Sequence, residues 1–125
     1  MSVPTEIQIQ VETRYIPEQS SPEQDHYVFA YQIRIENHGP QRAQLRNRHW
    51  IITDAEGRIQ EVRGPGVVGE QPTLAPGERF QYTSGTVLPT PVGSMHGSYE
   101  WVSENGEDFE TPIPPFRLAV ATVFH

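Results

Sequence analysis

Residues 5–14, TEIQIQVETR, set Ile7, Ile9, Val11 and Thr13 in alternation with Gln8, Gln10 and Glu12. A period of two is that of a strand with one face buried and the other in water. A polar segment follows at 17–25. The period then returns in HYVFAYQIRIEN, residues 26–37, with Tyr27, Phe29, Tyr31, Ile33 and Ile35 on one side. Five large apolar residues on one face predict a central strand. His38-Gly39-Pro40 predicts a turn. In 43–54, AQLRNRHWIITD, the parities conflict: Leu45 and Ile51 share one, Trp50 and Ile52 the other. An inserted bulge residue, or burial on both faces, reconciles them.

Asp54–Gly57 reads as a turn into a short strand, Arg58–Arg63. The glycine-rich segment 64–78 reads as a loop. Arg79–Leu88 is a strand with Phe80 and Tyr82 on one face, and 89–95 reads as a loop. Gly97–Glu104 is expected to pair with Asp108–Thr111 across Asn105-Gly106, a strong hairpin signal. Pro112, Pro114 and Pro115 are expected to interrupt the chain before a last strand, Phe116–Phe124, with Phe116, Leu118, Val120 and Phe124 on one face. Seven or eight short strands and no helical stretch long enough for a βαβ crossover predict an all-β, antiparallel two-sheet sandwich, with a small barrel as the alternative. The pattern has no repeat and no linker, so 1–125 is expected to be one domain.

Composition agrees. The chain has 11 Val, 9 Ile and 9 Thr against 4 Leu, and β-branched residues suit a pleated surface. No stretch approaches the roughly 18–20 apolar residues of a membrane span. MSVPTEIQIQ has neither the basic start nor the apolar run of a secretory signal. With no Cys there is no disulfide and no thiolate chemistry. These features lead to the expectation of a cytoplasmic protein. Its net charge of −7, with all nine basic residues Arg, argues against general nucleic-acid or membrane-surface binding, which needs a basic face.

The candidate chemistry is sparse. Gly64-Pro-Gly66-Val-Val-Gly69 spells G-x-G-x-x-G, but the dinucleotide fingerprint requires a helix whose N-terminus holds the pyrophosphate. Here Glu-Gln-Pro72 follows instead. The three glycines therefore serve either loop geometry or an anion cradle of another kind, for which Arg63 and Arg48 supply candidate phosphate contacts. The five histidines, at 26, 38, 49, 96 and 125, stand in no ligand spacing. The carboxylate clusters Asp54/Glu56 and Glu104/Glu107/Asp108 fall on turns and match no calcium loop. No catalytic triad, metal set or cofactor motif is visible, so neither an enzyme, a metal site nor a cofactor is expected. Trp50, Trp101 and the tyrosines are read as core.

RHWIITDAEG (48–57), VRGPGVVGEQPTLAPGERFQYTSG (62–85), PVGSMHGSYEWV (91–102) and PPFRLAVATVFH (114–125) resemble the ApaG family, in order and spacing, over nearly the whole chain. The resemblance implies a fibronectin type III or immunoglobulin-like β-sandwich. It also implies association with cobalt and magnesium tolerance or efflux, and kinship with domains appended to F-box proteins as interaction modules. It implies no catalytic residue set. It carries the glycine motif onto Gly64, Gly66 and Gly69 as a suspected phosphate-binding feature. Three functions are thus expected in competition. The first is a protein-interaction or regulatory module acting through the 64–72 loop with Arg48, Arg63 and Tyr82, linked only indirectly to cation tolerance. The second is a nucleotide or pyrophosphate binder, and the third a direct divalent-cation sensor. The partner is expected to be a protein, with a nucleotide or polyphosphate ligand as the alternative, and the chain itself a monomer or homodimer.

Overall fold

The computed structural model describes residues 6–120. Its strands are β1 (Ile7–Tyr15), β2 (Tyr27–Asn37), β3 (Ala43–Asp54), β4 (Ile59–Pro65), β5 (Thr73–Leu74), β6 (Arg79–Leu88), β7 (Val92–Ser103) and β8 (Asp108–Ala119). Two single 3₁₀ turns, Pro17–Gln19 and Pro22–Gln24, each begin on the proline whose fixed φ suits a first helical position. β1-β2-β6 form one sheet. β4-β3-β7-β8 form the other, with β5 alongside β3. Every pairing is antiparallel.

The two sheets share one core. Phe29, Ile33 and Ile35 from β2 meet Trp50, Ile52, Met95, Tyr99, Trp101 and Leu118 from the other sheet. Trp50 is the aromatic hub. Its ring lies 5.5 Å from Tyr31, 5.8 Å from Phe116 and 6.3 Å from Tyr99, each edge-on, the arrangement that ring quadrupoles favour. The alternation in β2 holds as expected, with Phe29, Tyr31, Ile33 and Ile35 all buried.

The parity conflict in β3 resolves as a bulge. Leu45 pairs with Trp101 and Asn47 with Glu100, so Arg46 is the extra residue. That one insertion turns Leu45, Trp50 and Ile52 to the same side, and leaves Ile51 on the other face.

Three expectations fail. The 89–95 segment is not loop throughout: β7 begins at Val92, and Met95 is fully buried. Gly93 imitates a turn residue for a packing reason, because a Cβ there would sit 2.6 Å from Leu88 Cδ1 and 2.7 Å from the Thr53 carbonyl oxygen. The prolines do not interrupt β8, which runs through Pro112, Pro114 and Pro115. β8 is a sheet edge, where a missing N–H costs no ladder bond. The irregularity is a register shift at two of these prolines: Met95 pairs with Phe116 and Gly97 with Ile113, so Pro114 and Pro115 together oppose His96. Finally, the 64–78 segment is not all loop, since Gly64 and Pro65 extend β4 and Thr73–Leu74 is β5. Phe124, expected in the last strand, lies outside the described residues, as do Thr5 and His125.

Candidate functional site

The glycine-rich segment leaves β4 at one end of the sandwich and folds into a tight turn. The Val67 amide donates to the Glu70 carbonyl at 2.8 Å, and the Glu70 amide returns a bond to Val67 at 2.9 Å. Both central residues have positive φ, Val68 at 42° and Gly69 at 82°, as in the type I′ turn. The Gly66 amide is bonded to the Arg46 carbonyl at 2.8 Å, so the β3 bulge also anchors the loop. Gln71 Nε2 donates to the same carbonyl at 2.9 Å.

Each motif glycine has a local cause. A Cβ on Gly64 would lie 3.0 Å from both terminal nitrogens of Arg48. One on Gly66, at φ +61°, would lie 2.2 Å from the Glu70 carbonyl oxygen. Gly69 has open space but a φ that L-residues rarely adopt. The amides of Gly66, Val67 and Glu70 are all bonded to carbonyls of this chain.

The two arginines of the expected site are separated by the pleat. Arg48 shares the β3 parity of Trp50 and Ile52 and so points to the inner side. Its Nη1 donates to the Pro65 and Gly66 carbonyls, at 3.0 Å each. Arg63 pairs in register with His49, one position along, and lies on the outer face. There Glu61 receives His49 Nε2 at 2.8 Å and Arg63 Nη2 at 3.4 Å. These two donors, His49 first, hold the Glu61 carboxyl below its ordinary value. The structure thus brings Arg48 together with Gly64 and Gly66, and Arg63 with His49 and Glu61. Both arginines also line a shallow depression of about 300 Å³.

Beneath Arg48 lies a buried polar cluster that the sequence pattern does not announce. Tyr82 and Tyr99 share a hydroxyl–hydroxyl bond of 2.5 Å, and Tyr31 stands beside them, opposite Ser84 in the β2–β6 register. Burial lifts all three phenols above their ordinary 10, against a smaller opposing pull from the Arg48 charge. They are neutral hydroxyls at physiological pH. Tyr82, expected at the surface beside the loop, is instead buried. Trp50 and Trp101 are core, as expected.

The residue missed in the sequence is Val68. It is a β-branched residue in the left-handed region and is 54% exposed, a genuine conformational outlier. A Val-Val pair between glycines gives its apolar character but not its φ. Among the described residues, no three of His, Asp and Glu are placed to hold a metal ion, and no helix is long and apolar enough to cross a membrane.

Known proteins resemble this chain closely. The ApaG domain profile matches residues 17–103. Protein ApaG of Acidithiobacillus ferrooxidans is 76% identical over 122 residues, covering 98% of this chain and 96% of that protein. Protein ApaG of Azotobacter vinelandii is 58% identical over 120 residues, covering 96% and 95%. A crystal structure described as an ApaA protein from Bordetella pertussis superposes with a TM-score of 0.93 at 58% identity, covering 97% of this chain and 98% of that one. With sequence and backbone in agreement from β1 to β8, the chain belongs to the ApaG family.

Proposed function

We infer that this protein is a non-catalytic, cytoplasmic interaction module that presents the 64–72 loop to a protein partner. The observation that carries this reading is Val68. Holding a β-branched residue at positive φ costs on the order of 1–3 kcal/mol, and leaving its isopropyl group in water gains nothing for the fold. Strain of this kind persists only where the surroundings over-determine it, and it gathers at functional sites. Here Arg48, Arg46 and Gln71 supply the bracing. A braced apolar tip fits an apolar pocket on a partner, with little ordering cost on binding. Any link to cobalt or magnesium tolerance then runs through that partner.

The test is capture from native lysate by wild type and by Val68→Asn in parallel. Asn accepts positive φ and removes the apolar tip, so the fold stays intact. A defined partner retained by wild type and lost by the variant is the expected result. A partner captured equally by both sinks the reading. Inorganic pyrophosphate serves as the second arm: amide shifts confined to 63–72 on its addition would favour an anion site over a protein-docking tip.

A further inference from the structure

The asparagines of this chain stand at 37, 47 and 105, and the fold treats them differently. Asn37 is buried and its carboxamide is held at both ends. Nδ2 donates to the Gln41 and Leu74 carbonyls at 2.8 and 2.9 Å, and Oδ1 accepts the Gly39 amide at 2.9 Å. Asn47 is exposed, but it lies inside β3, with β4 paired on one side and β7 on the other. The residue after it, Arg48, is itself tied to two carbonyls. Asn105 stands at the exposed tip of the β7–β8 turn, and among these three it alone is followed by glycine.

The turn is a three-residue loop of the kind that ends on a left-handed glycine. The Gly106 amide donates to the Ser103 carbonyl at 2.9 Å, and the Ser103 amide to the Glu107 carbonyl at 2.8 Å. The Glu107 amide donates to Ser103 Oγ at 3.2 Å. Gly106 has φ +80°, and an added Cβ there would meet nothing within 4 Å. The glycine thus carries no side chain to screen its nitrogen, and the space beside it is open. What keeps that nitrogen from the Asn105 carboxamide is its own bond to Ser103.

We propose that Asn105 is a site of spontaneous deamidation, gated by opening of the β7–β8 turn. Once the Ser103 bond is broken, the Gly106 nitrogen gives up its proton and attacks Asn105 Cγ. The new C–N bond closes a cyclic imide, the Cγ–Nδ2 bond breaks, and the side-chain nitrogen leaves as ammonia with that proton. Water then opens the imide. Addition at Cγ gives aspartate on an unchanged backbone. Addition at the Asn105 backbone carbonyl gives isoaspartate, with an extra methylene in the main chain. Either product adds a negative charge beside Glu104, Glu107 and Asp108, all exposed. Isoaspartate also lengthens a loop whose Gly106 and Glu107 both bond Ser103, and so loosens the start of β8. Opening a surface turn takes less free energy than unfolding the whole domain, so the reaction proceeds in the folded protein, more slowly than in an open chain.

Peptide mapping by mass spectrometry tests this on the full chain held in neutral buffer, with a parallel sample in urea. The expected result in the folded sample is the mass gain of an amide-to-acid exchange at Asn105 before any other asparagine. Its rate should be roughly tenfold below that in urea. Ser103→Ala takes an acceptor from the Glu107 amide and should speed the folded reaction about two- to fivefold at unchanged circular dichroism. A folded chain that converts as fast as the unfolded one removes the gate and overturns the proposal. So does a folded chain whose Asn105 is intact once the urea sample has converted fully, or one that converts first at Asn37 or Asn47. The wild-type comparison decides the matter even if Ser103→Ala does not fold.

Discussion

The β3–β4 ribbon ends in two turns of opposite construction. At one end, Asp54–Arg58 is closed chiefly by its own residues, with one outside bond, from the Ala55 amide to Thr90 Oγ1 at 3.0 Å. The Asp54 carboxylate accepts the Glu56 amide at 2.8 Å, the Arg58 amide at 3.0 Å and Arg58 Nε at 2.9 Å. At the other end, the 64–70 loop is held from a distance. Arg48 reaches carbonyls 17 and 18 residues away, and Gln71 reaches Arg46 across 25. A self-closed turn needs only local chemistry and presents a polar, ion-paired tip. A loop braced from behind leaves its tip free of structural duty, and that is where an exposed valine is found.

The sharpest way to break this contrast is a single methyl group at each end. Gly66→Ala pushes a Cβ to 2.2 Å from a backbone oxygen that its own turn holds in place. With the positive φ added, the loss should be about 3 kcal/mol, seen as a fall in melting temperature of roughly 10 °C. Gly57→Ala meets nothing within 4 Å and bears only the strain of φ +82°, so it should cost about 1 kcal/mol. Equal losses at the two positions would mean that the loop is no more tightly constrained than the turn.

The bracing itself is next. Arg48→Ala strips the Pro65 and Gly66 carbonyls of their charged donor and should cost about 1–2 kcal/mol. The loss should be local: amide exchange should quicken in 66–70 and stay unchanged in 54–58. Arg48→Lys should restore little, because an ammonium lacks the planar fork that lies over Gly64. Global melting without local loosening would place the role of Arg48 in the tyrosine cluster rather than in the loop.

The difference between the two ends also decides what could be read from the sequence. Asp54-Ala-Glu-Gly57 is legible because its partners are its neighbours. The strands are legible because alternation is local too, and even the bulge at Arg46 shows as a clash of parity between Leu45 and Trp50. The glycine motif was legible as a loop, but its cause was not. Gly64 is required by a guanidinium sixteen positions earlier, brought there by strand pairing. Arg48 and Arg63 were legible as the cations nearest the glycine motif; that the pleat points one inward and the other outward beside Glu61 was not. Tyr82 and Tyr99 come from different sheets, so no single strand's pattern could show them sharing a hydrogen bond. Gly93 and the β8 prolines carried turn-like composition into strands, one for packing and the others because an edge tolerates them.

A smaller change of opposite sign sharpens the comparison from the functional side. Val68→Asn relieves strain at φ 42°, and should stabilise the fold by about 0.5–1 kcal/mol, measured as a rise in urea midpoint. No substitution at Asp54 should do the same, because nothing in that turn is held against its own preference. If Val68→Asn destabilises, the valine serves the fold and the interaction reading loses its support.

The mildest effect belongs to the self-closed turn and appears only in acid. Burial alone would raise the Asp54 carboxyl, but the Arg58 side chain, the Arg58 and Glu56 amides and the Arg58 charge outweigh it and hold it below 3.8. A carboxyl depressed on folding contributes stability that is present above its unfolded value and is lost as pH falls through the folded one. Asp54→Asn keeps an oxygen for the two amides and removes that titration. The Arg58 partner is mostly exposed, and screened pairs of this kind contribute little, so the variant should lie close to wild type at neutral pH. Below pH 3.8 the two urea midpoints should converge, since wild type loses there what the variant never had. Parallel curves down to the acid limit would mean that Asp54 acts through its shape and not its charge, and the turn would then be closed by hydrogen bonding alone.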